Sequence, residues 1–443
     1  MILFAKEYKD KRDIIQLDTA AKLYAYTKTK DWNQTYRISA VLKERVQPEF
    51  LSQAIQLCQK RFPSFYVHFE NGFFWKRYRT KIYIGKNILF KDTGYCRPIN
   101  TDDDSTPLFR VLYSDFRVSL EIFHGVTDGH GAITFLKTLL AVYFNLMGDS
   151  VLPTNGVLDI NEKPDLEELE DSYVKNYDKK SGFLNRNETV SYQYELAETD
   201  KELHVTQGRI SVSELKTITH ALNVTITEYL TAIYIYSFYQ NIEDKQNCKP
   251  IKVQVPIDLR PYYNSKTLRN FSLYINVGID PKKFDYEFYD ILMEITQQIR
   301  AGEDKTRLQK ILNSNVRDGE MPISKYSPRF MKRPFIIAGF YLYGERLYTS
   351  PMSNLGVIDV PKEMEKHIAY FDSVIGATNI NNIWSTVVSF GDIMAVTFSS
   401  KDANNKVAKS FFDFIRMHGL EVYDGNAKII KHLSETNNCL SAV

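Results

Sequence analysis

The hydrophobic pattern changes its period within residues 116–148, and this change constrains the fold of the 443-residue chain more than any other feature. Apolar residues occupy every second position up to Ile122, as in a β-strand, and this alternation places His124 on the apolar face and Phe123 on the opposite one. After Gly131 the apolar residues recur at helical spacing. A strand, a short loop and a helix in this order predict an α/β fold.

Strand-like and helix-like segments alternate along the rest of the chain, on both sides of a polar stretch at 158–202 that is rich in Asp, Glu, Lys and Asn. Strands are predicted at 35–46, 72–92 and 251–261 and as a pair across 389–392, and helices are predicted after Pro48, at 226–240 and before Gly419. We therefore expect an N-terminal half at 1–160, a crossover linker at 161–202 and a C-terminal half at 203–443.

The loop between the predicted strand and helix reads His124-Gly-Val-Thr-Asp128-Gly129. A neutral imidazole at the end of a strand can take a proton from a hydroxyl or an amine, and a carboxylate four residues later can hold the loop that presents it. These are the minimum parts of a general-base acyl transfer. The alternative is a histidine that only hydrogen-bonds to its neighbours, and the spacing alone favours this structural interpretation.

Composition and the remaining polar residues argue against several other functions. A net charge of +2 does not indicate a nucleic-acid partner, and no apolar stretch resembles a signal peptide or a membrane span, so a cytoplasmic protein is expected. No nucleophile turn, phosphate-binding glycine loop or metal-ligand spacing of histidines is present. A disulfide framework is not expected either, because the four cysteines are scattered: Cys58, Cys96, Cys248 and Cys439.

Further short motifs follow one another at ordered separations. Besides His124–Gly129 they are Arg61–Pro63, Pro107–Arg110, Val255–Pro261, Arg269–Phe271 and Ser353–Gly356. On these segments the chain resembles the chloramphenicol-acetyltransferase-like superfamily of CoA-dependent acyltransferases, and within it the alcohol-acetyltransferase and condensation-domain group. The resemblance runs nearly from one end of the chain to the other, and its specificity lies in the order of the motifs.

The resemblance implies two α/β halves, each a mixed β-sheet with flanking helices, and an active-site channel at their interface. It also implies that His124 is the general base, that acyl-CoA is a co-substrate and that no cofactor is bound. Asp128 would hold the loop through an ion pair, with Gly129 in support. Arg260 is the candidate partner, because a guanidinium and a carboxylate can pair through two parallel hydrogen bonds.

Two features depart from the family's patterns. Many members carry two histidines in a row, whereas Phe123 occupies the first position here. Alcohol-acetyltransferase-like members tolerate this change, which argues against a peptide-condensing domain. The Asp-Phe-Gly-Trp-Gly string of the plant branch is missing, and Ser389–Asp392 in the corresponding region is too short a match to indicate a function.

We predict a monomeric enzyme that moves an acyl group, expected to be acetyl, from a CoA thioester to a small hydroxyl or amine acceptor without a covalent enzyme intermediate. Ser353 and Asn354 are candidate oxyanion donors, although an ordinary turn capped by its own side chains explains them equally well. Asn270 is a further candidate. The alternative function is a condensation-like module, catalytic or not, that binds an acyl-carrier protein.

Overall fold

The computed structural model describes residues 14–28, 34–184, 188–196, 202–376, 378 and 380–424. Cys439, the outer ends of the two predicted halves and parts of the predicted linker lie outside these residues. The strands are β1 (Ile14–Gln16), β2 (Thr35–Leu42), β3 (Val67–Asn71), β4 (Lys76–Thr80), β5 (Leu89–Lys91), β6 (Phe109–Tyr113), β7 (Arg117–Phe123), β8 (His204–Ser211), β9 (Ile251–Asp258), β10 (Ser272–Ile279), β11 (Ser350–Val357), β12 (Ile368–Ile375), β13 (Ile383–Phe390), β14 (Ile393–Ser400) and β15 (Tyr423–Asp424). The α-helices are α1 (Thr19–Thr27), α2 (Pro48–Cys58), α3 (Gly129–Leu146), α4 (Ser172–Lys175), α5 (Val212–Ala221), α6 (Ile226–Gln240), α7 (Arg260–Tyr263), α8 (Phe288–Gly302), α9 (Lys305–Glu320), α10 (Pro322–Tyr326), α11 (Arg329–Tyr343), α12 (Lys362–Glu365) and α13 (Lys406–Met417).

The strands of the described residues form two large sheets and one small one. Strands before the predicted linker build most of a five-stranded sheet with the order β12-β2-β7-β6-β5, and strands after it build a seven-stranded sheet with the order β10-β9-β11-β13-β14-β8-β15. Both are mixed, because β11 runs parallel to β9 and β13, and β5 runs parallel to β6. The predicted α/β fold of two halves, each a mixed sheet with helices, is confirmed.

Strand β12 belongs by sequence to the C-terminal half but lies at the edge of the N-terminal sheet. It pairs antiparallel with β2, so that Ile375 lies opposite Tyr36. Its Asp372 also forms an ion pair with Arg117 of β7. The two halves are therefore tied by backbone hydrogen bonds as well as by side chains, and neither large sheet is built from one continuous stretch of sequence.

The unit predicted from the change in period is present as β7, a loop and α3. The helix begins at Gly129 rather than after Gly131, because the Asp128 carboxylate accepts a hydrogen bond from the Gly131 N–H (3.3 Å) and caps the helix. Almost every residue of α3 from 131 to 144 is buried. The loop is thus held between a buried strand and a buried helix.

The second face of β7 is buried as well, and Glu121 lies on it with no exposed side-chain surface. Its carboxylate accepts hydrogen bonds from Arg37 (2.6 Å), from Arg110 (2.5 Å) and from the Cys96 N–H (2.6 Å). A carboxylate removed from water is tolerated only when charged and polar partners replace the water. These three donors therefore fix the register of β7 against its surroundings.

The sequence also predicts a loop at Ser353–Gly356, and this prediction is wrong, because the segment lies within β11. The register between β11 and β13 shifts between Asn354 and Val357, and Gly356 has a φ of 72°. A bulge and a turn both use glycine for positive φ, so the sequence does not separate them. Similarly, the strand predicted at 251–261 ends at Asp258, after which α7 begins.

The helices α8 to α11 separate β10 from β11, and the sequence patterns above predict none of them. Helix α8 packs on α6 and β10 with a buried face that includes Ile291, Ile295 and Ile299. Helix α11 reaches α1 in the N-terminal half. Among the described residues, no helix combines the length and the hydrophobicity that crossing a membrane requires.

We expect Glu121→Gln to lower the free energy of unfolding by about 3 kcal/mol, because Arg37 and Arg110 would keep their charges and lose their shared buried partner. Urea unfolding followed by circular dichroism measures this change. Glu363→Gln on exposed α12 is the control and should change stability by less than about 0.5 kcal/mol. Equal stabilities of the two variants would contradict the importance of this cluster.

Candidate active site

A cavity of about 1450 Å³ is lined by residues from both sides of the predicted linker. All the site residues predicted from the sequence line it: His124, Asp128, Gly129, Arg260, Asn270, Ser353 and Asn354. Tyrosines from α1, β2 and β10 complete the wall around the histidine: Tyr24, Tyr36 and Tyr274. The fold therefore brings together motifs that lie up to 230 residues apart (124 to 354) in the sequence.

His124 follows the last residue of β7 and is held by its backbone and by two rings. Its N–H donates to the Gln34 carbonyl (2.8 Å). Its imidazole stacks on Tyr24, with ring centroids 4.5 Å apart, and lies 4.9 Å from the Tyr36 ring. Phe123 belongs to the hydrophobic core of the N-terminal half, although the alternation places it on the face opposite the apolar one, because both faces of β7 are buried. The imidazole therefore faces the cavity in one defined orientation.

Asn270 determines which nitrogen of the imidazole carries the proton. Its side-chain NH₂ donates to the Gly125 carbonyl (3.2 Å) and points towards the Asp18 carboxylate (3.5 Å). Since a carbonyl can only accept, the amide oxygen must face the other way, towards His124 Nδ1 at 3.2 Å. The hydrogen of a neutral imidazole then lies on Nδ1, and Nε2 keeps the lone pair of a base.

Burial lowers the pKa of His124, because a charged imidazolium would lose its hydration in the cavity wall. Hydrogen bonds to its own backbone and to Asn270, together with the charge of Asp128, act in the opposite direction without reversing the shift. The imidazole is therefore neutral at pH 7. A neutral ring with a free Nε2 lone pair is the form that can accept a proton.

The predicted ion pair between Asp128 and Arg260 is present and buried. Its two hydrogen bonds measure 2.9 and 3.0 Å, and the Phe271 N–H donates to the same carboxylate (2.8 Å). Burial would raise the pKa of Asp128, but the charge and hydrogen bonds of Arg260 outweigh it and the pKa is lowered. Asp128 therefore stays ionised, turned towards Arg260, and fixes the loop without contacting His124.

Two glycines let the loop pack closely. A side chain at Gly129 would come within 2.5 Å of a methyl carbon of Leu355, and one at Gly131 would overlap the Leu268 carbonyl. The Tyr36 hydroxyl donates to the Asp128 carbonyl (2.9 Å) from the opposite side. A side chain is therefore excluded at Gly131 by the backbone of a neighbouring segment, whereas at Gly129 the flexible Leu355 side chain would have to move.

The three candidate oxyanion donors differ in their geometry. Asn354 uses both ends of its amide locally, donating to the Thr227 hydroxyl (2.9 Å) and accepting from the Gly356 N–H (2.9 Å). Asn270 is engaged with the histidine loop, as described above. Ser353 is half-buried in the cavity wall, and among the described residues no group hydrogen-bonds its hydroxyl. Ser353 is thus the candidate whose donor is free to meet a ligand.

A buried ion pair that the sequence patterns above do not predict lies behind Asn270. Asp18 caps α1 by accepting from the Ala21 N–H (2.7 Å) and lies 3.3 Å from the Arg269 guanidinium. Burial raises the pKa of Asp18 to about 6, and Arg269 opposes that rise. Two sequence features could have indicated this pair: an aspartate directly before a helix, and the arginine of the Arg269–Phe271 motif. No feature of the sequence indicated Tyr24.

Thiol chemistry has no support in the described residues. Burial raises the pKa of Cys58 to about 12, raises that of Cys248 to about 11 and raises that of Cys96 further still. All three are therefore protonated at neutral pH and poor nucleophiles. In the same part of the chain, no group of three or more His, Cys, Asp or Glu residues is arranged to hold a metal ion.

Comparison with known proteins gives a match in fold and none in sequence: no family model and no curated protein matches the chain. Polyketide synthase associated protein 5 from Mycobacterium tuberculosis superposes with a TM-score of 0.62 at 13% identity, covering 91% of this chain and 97% of that one. Trichothecene 15-O-acetyltransferase from Fusarium sporotrichioides gives a TM-score of 0.56 at 12% identity, with 90% and 94% coverage.

The starter condensation domain of rhizomide synthetase, in complex with C8-CoA and Leu-SNAC, gives a TM-score of 0.60 at 11% identity, with 92% and 94% coverage. These neighbours share the condensation-domain-like fold of CoA-dependent acyltransferases. The resemblance read from the motifs is confirmed at the level of the fold. At 11 to 13% identity the comparison does not extend to substrates or site residues.

We expect His124 to titrate below its ordinary pKa of 6.5, and Asn270→Asp to raise that pKa, because a carboxylate beside Nδ1 favours the imidazolium. NMR titration of the imidazole resonances measures both values, with His124→Gln assigning the signal. Asn354→Asp is the control, since this amide also lines the cavity but bonds elsewhere. A His124 pKa that does not change in Asn270→Asp would contradict the hydrogen bond between them.

Proposed function

We propose that this chain, which has the fold of condensation-domain-like CoA-dependent acyltransferases, transfers an acyl group from a CoA thioester to a hydroxyl or amine acceptor. The observation that carries the proposal is a neutral, half-buried imidazole whose Nδ1 is occupied by Asn270 and whose Nε2 is left for a substrate. A cavity of about 1450 Å³ is large enough for two substrates to meet there. Acetyl is the donor group we expect.

In the proposed reaction, Nε2 of His124 removes the proton of the acceptor as its oxygen or nitrogen attacks the thioester carbonyl carbon. A tetrahedral intermediate forms with a negative charge on the former carbonyl oxygen. Its collapse breaks the carbon–sulfur bond, and the imidazolium returns the proton to the departing CoA thiolate. The products are an ester or amide and free CoA, and the enzyme is regenerated without a covalent intermediate.

Asp128 and Arg260 would act as positioning residues. Their side chains satisfy one another and the Phe271 N–H, so no donor of the pair is left for the substrate. Removal of the Arg260 charge would leave the Asp128 carboxylate buried without its ion partner, whereas removal of the Asp128 charge would leave Arg260 with Asp258 (2.9 Å) as its remaining carboxylate partner. We therefore assign the loss of activity expected from such variants to a displaced His124 loop.

The second candidate is a condensation-like module whose donor arrives on an acyl-carrier protein. One neighbour structure holds C8-CoA together with Leu-SNAC, and this keeps a carrier-borne substrate in consideration. The histidine would have the same role in a catalytic version. Thiol release from free acyl-CoA separates the two: a chain that consumes only carrier-bound thioesters, or that binds a carrier protein and releases no thiol, fits the second candidate.

We expect His124→Ala to reduce thiol release from acetyl-CoA, in the presence of a panel of alcohols and amines, by about 100- to 10,000-fold, as removal of a general base does. Free thiol is measured with a chromogenic disulfide. His130→Ala is the matched control, because His130 lines the same cavity, is half exposed and should change the rate by less than about threefold. Full activity of His124→Ala would refute the mechanism.

We expect Ser353→Ala to lower kcat by about 100-fold with little change in KM, because an oxyanion donor acts only when charge develops in the transition state. Steady-state kinetics with the best acceptor measure both constants. Asn354→Ala is the comparison. This variant loses hydrogen bonds in the β11 bulge, so we expect it to lower thermal stability together with any change in kcat. An unchanged kcat in Ser353→Ala would remove this residue from the reaction.

A further inference from the structure

A continuous aromatic surface lies at the edge of the cavity, formed by the turn at 73–75, α10 and α11; we call it the aromatic–basic surface. Three of its phenylalanines are among the most exposed large apolar side chains of the described residues: Phe73 at 72%, Phe330 at 78% and Phe335 at 78%. Tyr326 and Met331 are more than half exposed beside them. Exposed apolar groups clustered in this way mark an interaction surface.

Backbone and ring contacts hold the parts of this surface together. The Arg329 N–H donates to the Phe73 carbonyl (3.2 Å), and the Lys332 ammonium donates to the Phe74 carbonyl (3.1 Å). The Phe74 and Tyr326 rings meet edge to face at 6.2 Å. The turn and the two helices therefore present their side chains as one surface, although they lie more than 240 residues apart in the sequence.

The charge of the surface is positive. Residues 321–344 contain Lys325, Arg329, Lys332 and Arg333 and no acidic residue, and of these four Lys332 is buried and does not add to the charge of the surface. Arg333 is exposed between Phe330 and Phe335, and Lys325 is exposed at the start of the surface, where it pairs with Glu320 (2.5 Å). Basic residues that alternate with bulky aromatic ones along a helix are typical of a segment that lies in a membrane interface.

The surface also borders the cavity. Met331 and Phe335 are exposed and line the cavity at the same time, and Trp75 and Lys332 line it from the turn and from the buried side of α11. The Lys332 ammonium lies 3.7 Å from the centre of the Trp75 ring. Whatever covers the aromatic–basic surface therefore lies at an opening of the cavity.

We propose that the aromatic–basic surface docks on an anionic lipid bilayer, with its phenylalanine rings in the headgroup region and its arginine and lysine side chains against lipid phosphates and carboxylates. Exposed rings can enter a fluid interface without a matching pocket. The basic side chains supply complementarity to anionic headgroups. This binding is independent of the proposed catalysis, and it would turn the cavity opening towards the lipid.

The test is co-flotation of the purified full-length chain with phosphatidylcholine vesicles that contain or lack phosphatidylserine. We expect binding to phosphatidylserine vesicles that weakens as salt is raised, because salt screens the basic side chains. Phe330→Ser/Phe335→Ser should reduce the bound fraction about tenfold, and Lys325→Gln/Arg333→Gln should remove the preference for phosphatidylserine.

Matched controls use equally exposed residues elsewhere on the chain. Phe284→Ser/Tyr289→Ser removes two exposed aromatic rings, and Lys406→Gln/Lys409→Gln removes two exposed charges; neither should change vesicle binding. Thermal unfolding of every variant reports whether it is folded. No binding of the parent chain to either vesicle, or an equal loss in the controls, would overturn the proposal. Binding of an acidic carrier protein to this surface, with no binding to vesicles, would also overturn the proposal.

Discussion

The buried ion pair between Asp128 and Arg260 is the interaction on which the site depends. It joins the start of α3 in the N-terminal half to the start of α7 in the C-terminal half, and the Phe271 N–H adds a third element to the same carboxylate. Two charges buried in this way are costly to separate, so the pair holds these elements together. The ion pair therefore fixes the position of the His124 loop.

Around that pair, different neighbours of His124 determine its pKa and its tautomer. Burial between two tyrosine rings lowers its pKa and keeps it neutral, and Asn270 fixes its tautomer through an amide that is itself oriented by the Gly125 carbonyl. The charge state, tautomer and orientation of the proposed general base are therefore set before a substrate binds. A preorganised base does not have to reorient during the reaction.

Helix α11 connects the cavity with the outside of the molecule. Its buried side places Lys332 against Trp75 in the cavity wall, and its exposed side carries Phe330 and Arg333. One helix thus forms part of the proposed reaction chamber and part of the proposed lipid-binding surface. An acceptor dissolved in a bilayer would meet the cavity without passing through water, provided that both proposals hold.

The sequence by itself determined the strand–loop–helix unit and the histidine that follows β7, because hydrophobic period is a local property of the chain. The pairing of Asp128 with Arg260 was indicated by the resemblance to a known family and not by any local pattern. Only the tertiary structure decided three other features. These are that Asn270 serves the imidazole, that Ser353 lies in a bulged strand, and that β12 completes the N-terminal sheet. Each depends on contacts between residues more than 100 positions apart or on a backbone shift with no characteristic period, and a one-dimensional pattern records neither.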